Sequence, residues 1–146
     1  MSEDWRLRFA EQLSSLGAGT GVPRSMMLVL GWLVVCDPPE QTAHELQARL
    51  QLAAGTVSSV TRTLAELGAL DRRARTGDRR TYYALGERAW ERVLLGRYRA
   101  LTEVLSVVER TAEEAGDEAG ARLAQMRDLW AAYVEQTGKV AADWPA

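Results

Sequence analysis

A chain of 146 residues, 47% of them hydrophobic and 26% charged, is long enough for one packed core with a helical appendage, and its composition excludes disorder and low-complexity fibres. A formal net charge of −2 gives no whole-molecule attraction to polyanions, so any anion-binding role has to come from local segregation of sign. The single cysteine, Cys36, cannot close an internal disulfide, and the acidic N-terminus lacks the basic-then-apolar layout of a secretion signal; together these point to the cytoplasm.

Trp5, Phe9, Leu13 and Leu16 recur at helical spacing, so residues 3–16 read as an amphipathic helix closed by the run Gly17-Ala18-Gly19-Thr20-Gly21. Pro23 suits the first turn of a second helix, whose segment 26–36 is apolar nearly all round, as a central core helix would be. That segment is about half the roughly 20 residues a membrane-spanning helix needs, so no membrane contact is expected. Asp37-Pro38-Pro39 ends it, because proline lacks the donor and keeps its predecessor out of helix. Thr42-Ala43-His44-Glu45 has the form of a capping box and predicts a short third helix over 43–50. Val57, Val60, Leu64 and Leu67 mark the buried stripe of a fourth, which Gly68 terminates. Two helices joined by so brief a connection form a helix-turn-helix.

Residues 70–75 and 79–85 then read as two short strands around Thr76-Gly77-Asp78, a β-hairpin with an arginine-rich tip. From 87 to about 115 the helical period resumes with Trp90, Leu94, Tyr98, Leu101, Leu105 and Val108. After a break at Gly116 and Gly120 it continues with Ala119, Leu123, Met126, Trp130 and Tyr133. Such seams bury themselves against other helices, including those of a second subunit.

Charge is segregated along this plan. Arg62, Arg72, Arg73, Arg75, Arg79 and Arg80 fall in one stretch opposed locally by Glu66, Asp71 and Asp78, whereas the C-terminal third is acid-rich. A period of about 3.6 residues puts Val57, Val60 and Leu64 on one side of the fourth helix and Gly55, Ser58, Ser59 and Arg62 on the other. Small side chains admit a helix to a major groove about 12 Å wide, hydroxyls meet base edges or phosphates, and arginine grips guanine with two hydrogen bonds. The plain alternative for this face is an ordinary solvated surface. Arginines crowded at a turn repel one another, which argues for an anionic partner, and Asp78 is placed to hold Arg79 or Arg80 in a fixed pose.

The order of elements resembles the MarR superfamily of winged-helix regulators, and particularly its GbsR-like branch. The resemblance rests on the run from Gly31-Trp32 to Pro39-Glu40, on Glu45-Leu46, on Gly55-Thr56-Val57-Ser58, on the run from Arg62-Thr63 to Ala69-Leu70 and on Gly77-Asp78-Arg79-Arg80-Thr81-Tyr82-Tyr83, within about residues 20–90. It implies a mainly α winged helix-turn-helix with a small two- or three-stranded β-wing and flanking dimerisation helices: an N-terminal helix and linker over 1–21, the DNA-binding domain over 22–86, and C-terminal helices over 87–146. The protein is then expected to be a cytoplasmic homodimeric regulator of double-stranded DNA, a repressor on a pseudo-palindromic operator. Gly55, Thr56, Ser58, Ser59, Arg62 and Thr63 would read the major groove. Arg72, Arg73, Arg75, Asp78, Arg79 and Arg80 would form the wing, whose arginine enters the minor groove in the resembled family. Trp5, Phe9, Leu13, Leu101, Leu105, Val108, Met126 and Tyr133 would line the dimer interface. One departure stands out: Ala53 and Ala54 occupy the places where the resembled pattern has a serine cap and a basic residue.

No catalytic set and no cofactor is expected. His44 and Cys36, with Asp37 and Glu45, match no metal-ligand spacing, and a core thiol without basic neighbours should be unreactive. Trp32, Trp90 and Trp130 fall on inward positions of three helices. Aromatics so placed ordinarily fill a core; the alternative is a pocket for a small apolar or quaternary ammonium effector, the latter a class the GbsR-like resemblance implies. The competing reading of the whole chain is a winged-helix protein-interaction module whose basic hairpin docks an acidic partner.

Overall fold

The computed structural model describes residues 4–144. Helix α1 (Asp4–Gly17) lies against α2 (Arg24–Val35), with a 3₁₀ turn at Ala18–Thr20 between them. Gly31 permits the close approach, since a Cβ there would stand 3.1 Å from Leu13 Cδ2 and 3.2 Å from Ala10 Cα. The buried Ser14 hydroxyl ties the pair by donating to the Arg24 carbonyl at 2.8 Å. Pro23 sits one place earlier than its sequence suggests: its ψ of 142° keeps it extended, as the residue just outside the helix rather than within its first turn. Val29, Leu30, Trp32 and Leu33 of α2 form the centre of the core.

Strand β1 (Gln41–Thr42) runs directly into α3 (Ala43–Leu50). The capping box forms as expected: Thr42 Oγ1 accepts from the Glu45 amide at 3.2 Å, and Glu45 Oε2 accepts from the Thr42 amide at 2.7 Å. Helix α4 (Ala54–Glu66) follows after a three-residue connection and buries Val57, Val60 and Leu64; Leu67, expected on the same stripe, is exposed, because the helix ends at Glu66 and leaves it as the C-cap. Thr61 is buried with them and satisfies its hydroxyl by donating to the Val57 carbonyl at 2.7 Å.

Strands β2 (Leu70–Ala74) and β3 (Thr81–Leu85) form the hairpin, and β1 adds to its far edge, giving an antiparallel sheet in the order β1-β3-β2. Thr42 faces Tyr82, which in turn faces Arg73. The sheet is seated on the end of α4 by Gly86, whose amide donates to the Ala69 carbonyl at 2.9 Å. A Cβ on Gly86 would stand 2.8 Å from the Gly68 carbonyl oxygen, so no side chain fits.

The chain divides into two compact units, Met1–Arg92 and Val93–Ala146. Helix α5 (Ala89–Glu114) begins in the first and continues through the second, where α6 (Asp117–Asp143) completes it. The break between these helices is confined to the segment before Asp117, and Gly120, expected within it, lies in the first turn of α6 with its amide donating to Gly116. Close packing of the pair shows at Gly138, where a Cβ would stand 3.0 Å from the Tyr98 hydroxyl oxygen. Val108 and Val134 are buried in this unit. The outcome is the mainly helical winged-helix architecture expected, with the sheet in its three-stranded form.

Candidate nucleic-acid interface

With Val57, Val60 and Leu64 turned into the core, the 3.6-residue repeat leaves Gly55, Ser58, Ser59 and Arg62 exposed along the opposite side of α4. Gly55 has nothing within 4 Å of where a Cβ would be, so its lack of a side chain serves no packing need inside the chain. Thr56 and Thr63 flank this face half-buried, and the Thr63 hydroxyl donates to the Ser59 carbonyl at 3.0 Å. Ala53 caps the helix with no side-chain hydrogen bond, which follows from its methyl group.

The wing is ordered by a chain of polar contacts. Gly77 takes φ of 77° at its tip, and the Asp78 amide closes the turn on the Arg75 carbonyl at 3.0 Å. The Asp78 carboxylate accepts from the Arg80 amide at 2.9 Å, from Arg80 Nε and Nη2 at 3.1 and 2.9 Å, and from the Tyr82 hydroxyl at 2.7 Å. These donors, Arg80 first, hold the Asp78 carboxyl well below the usual carboxylate range. The same bond to Asp78 pushes the Tyr82 phenol above its ordinary value. The Arg75 guanidinium lies 3.6 Å from the Tyr82 ring centroid and covers that buried ring.

Glu40, just before β1, completes the arrangement from the opposite edge of the sheet. Its Oε1 accepts from Arg73 Nη1 at 2.6 Å and its Oε2 from Arg75 Nη2 at 3.1 Å, and these two bonds depress its carboxyl pKa. The crowding of wing arginines is therefore partly relieved within the chain: Arg73 and Arg75 by Glu40, and Arg80 by Asp78. Arg62, Arg72 and Arg79 are exposed and make neither an ion pair nor a hydrogen bond among the described residues. Sequence reasoning found Asp78 but missed Glu40 and the buried Tyr82. Tyr82 announces itself only by its inward place in the β3 alternation, and Glu40 by nothing local.

Comparison with known proteins identifies the fold's lineage. The MarR family pattern matches residues 35–82, from the end of α2 to the buried tyrosine of the wing. Over 132 residues the chain is 35% identical to the HTH-type transcriptional regulator MmpR5 of Mycobacterium tuberculosis (strain ATCC 25618 / H37Rv), an alignment covering 88% of this chain and 79% of that protein. The chain belongs to the MarR family and is a transcriptional regulator of that type. A solved structure described as a transcriptional regulator superimposes on this MarR protein with a TM-score of 0.71 and 32% identity, over 92% of this chain and 94% of that one.

Away from the wing, tryptophans wall two separate cavities among the described residues of the MarR chain. Trp32 lines one of about 500 Å³, with Leu7, Asp37, Gln41 and Arg49 among its neighbours; Trp130 lines a separate one of about 330 Å³ with Leu101, Leu129 and Tyr133. Trp90, half-buried at the start of α5, lines neither, so the three tryptophans are not gathered at one cavity. Trp32 donates from Nε1 to Gln41 Oε1 at 3.4 Å, and the Arg49 guanidinium stands 5.7 Å from its ring centroid.

Of the residues expected at a dimer interface, Leu13 spends part of its surface on α2 and Val108 is buried, whereas Phe9, Met126 and Tyr133 are exposed, and Trp5, Leu101 and Leu105 are half-buried. No group of three or more His, Cys, Asp or Glu side chains able to hold a metal occurs among the described residues. No helix among them is long and apolar enough to cross a membrane.

Proposed function

We propose that this MarR-family chain represses transcription by binding duplex DNA as a homodimer, with the outer face of α4 in the major groove and the wing in the minor groove. One observation carries the reading: Arg62, Arg72 and Arg79, exposed and unpaired among the described residues, accompany a helix face kept slim by Gly55, Ser58 and Ser59. Unpaired guanidiniums neutralise phosphates, and a thin helix reaches base edges. Thr56 and Thr63 border the reading face, Asp78 sets the pose of Arg80, and Glu40 occupies Arg73 and Arg75.

The dimeric state rests on apolar surface in need of cover. Met126, Leu129, Tyr133 and Val140 are exposed along α6 at steps of three, four and seven, with Leu94, Val104 and Val107 exposed on α5 and Phe9 and Leu16 on α1. A two-fold pairing of these helices would present two α4 faces to half-sites about one helical turn apart, 34–36 Å. This corresponds to a functional division into residues 1–21 and 87–146 for dimerisation and 22–86 for DNA.

The finer assignment we favour is a GbsR-like, cytoplasmic regulator whose DNA affinity responds to a small effector. The Trp130 cavity, walled by Leu101, Leu129 and Tyr133, suits an apolar molecule. A quaternary ammonium at Trp32 would have to displace Arg49 from the ring.

Selection of bound duplexes from a random-sequence pool tests the reading. Wild-type protein should enrich an inverted repeat, Arg62→Ala should relax preference at one position in each half-site, and Arg79→Ala should weaken all duplexes alike. Unchanged affinity and preference in both variants would refute it. A wild type with no duplex affinity at low salt that nonetheless holds an acidic protein stoichiometrically would establish the interaction-module alternative.

A further inference from the structure

We propose that Glu40 is a built-in phosphate competitor: a positioning residue that occupies Arg73 and Arg75 and so limits how strongly the wing grips DNA of arbitrary sequence. The inference rests on the duplex-binding reading above.

The geometry is that of an anion site already filled. Arg73 and Arg75 are two residues apart along the β2 side of the hairpin, a spacing that puts side chains on one face of a strand. Each presents one guanidinium nitrogen to a different oxygen of the Glu40 carboxylate, at 2.6 and 3.1 Å. A bound phosphate would be gripped in the same way, by two cations on two oxygens. Glu40 reaches them because β1, which follows it, is paired to β3, whose other neighbour is β2. Asp71 adds a weaker claim on Arg73 at 3.6 Å. Arg75 is held a third way, on the Tyr82 ring.

Both arginine side chains keep about half their surface open, at 49% and 48%, whereas the Glu40 side chain retains 22%. The carboxylate is thus the better-sheltered partner, while the two arginines remain partly open to solvent. An exposed pair of this kind contributes little to folding, so stability alone does not account for it. Its electrostatic effect is larger: one negative charge sits between two of the wing's positive charges, offsets part of their field, and must be displaced before a phosphate can take the two nitrogens it holds. Non-specific affinity depends on the number of phosphates neutralised, while sequence preference comes from base contacts made elsewhere. A carboxylate at this place therefore lowers background binding without touching the reading face of α4.

The test is a salt titration by fluorescence anisotropy on a labelled duplex of arbitrary sequence, comparing wild type, Glu40→Gln and the triple variant Glu40→Gln/Arg73→Gln/Arg75→Gln. Glu40→Gln should bind this duplex more tightly at low salt. The slope of log affinity against log salt should steepen by roughly 2 or more for a dimer, at about 0.9 for each additional phosphate neutralised. The triple variant should lose that increase, since no freed guanidinium remains. An unchanged or shallower slope in Glu40→Gln would overturn the proposal, as would a steepening that survives in the triple variant. Failure of the duplex-binding reading is distinguishable, because wild type itself would then bind no duplex at any salt, and the proposal would fall with it.

Discussion

Asp78 and Arg80, two residues apart, meet at three points: the Arg80 amide, Nε and Nη2 donate to one carboxylate at 2.9, 3.1 and 2.9 Å. The same carboxylate takes the Tyr82 hydroxyl, so the cation at the wing is anchored to a residue of the β3 core face. A guanidinium fixed in this way loses little freedom on meeting a phosphate or a base edge, whereas a loose one has to be ordered first. Replacing Asp78 by Ala should lower the ratio of operator to arbitrary-sequence affinity about tenfold, or ~1.4 kcal/mol. Arbitrary-sequence binding itself should hold or rise, because a negative charge has been removed. Parallel anisotropy titrations on the two duplexes check this.

Acid should release the wing before it unfolds the core. Asp78 and Glu40 are both held below their ordinary values of 3.8 and 4.5 by arginine partners. A depressed folded pKa contributes stability that is fully present above the ordinary value and is lost as pH falls toward the folded one. The melting temperatures of wild type and Asp78→Asn should therefore differ by a constant amount from neutral pH down to about pH 5 and converge in stronger acid. Melts followed by circular dichroism across that range measure it.

Leu64 is fully buried where α4 meets the core. Its truncation to Ala should cost roughly 2–5 kcal/mol, by lost burial and a residual cavity. Duplex binding by the fraction still folded should be unchanged, since the exposed face of α4 is untouched. Urea unfolding gives the first quantity and anisotropy the second.

Cys36 is buried, and burial pushes its thiol up to about 11. The thiolate is the reactive form, so the folded protein should resist alkylation by iodoacetamide at pH 8 and react only at the rate of unfolding. Mass spectrometry before and after denaturation reads this out, and fast labelling of the folded chain would give Cys36 the redox exposure that the fold denies it.

What could be read from the chain tracks how local each interaction is. The Thr42–Glu45 capping box, the Asp78–Arg80 pair and the stripe Val57, Val60 and Leu64 join residues within a turn or two and appear in the fold as their spacing implies, whereas Leu67, read on the same stripe, is exposed because the helix ends at Glu66. Glu40 was illegible, because it lies 33 and 35 residues from its partners and meets them only through the strand order β1-β3-β2. Strand β1 is two residues long, too short to show any period. Leu13 reads as part of an outward stripe until Gly31, across on α2, turns out to receive it. The tryptophans share a helical period but not a cavity, since period fixes the face of a helix and not the neighbour it meets.

Whether the unpaired guanidiniums meet phosphate is decided by the salt dependence of wild-type binding to duplex DNA. Two of them in each of two subunits, Arg72 and Arg79, predict a log–log slope of roughly −4, Arg62 being assigned to a base edge. Arg79→Ala should make that slope shallower by about 2, one phosphate per subunit. A flat salt response, or a slope that ignores the loss of Arg79, would contradict the assignment of these side chains to the DNA backbone.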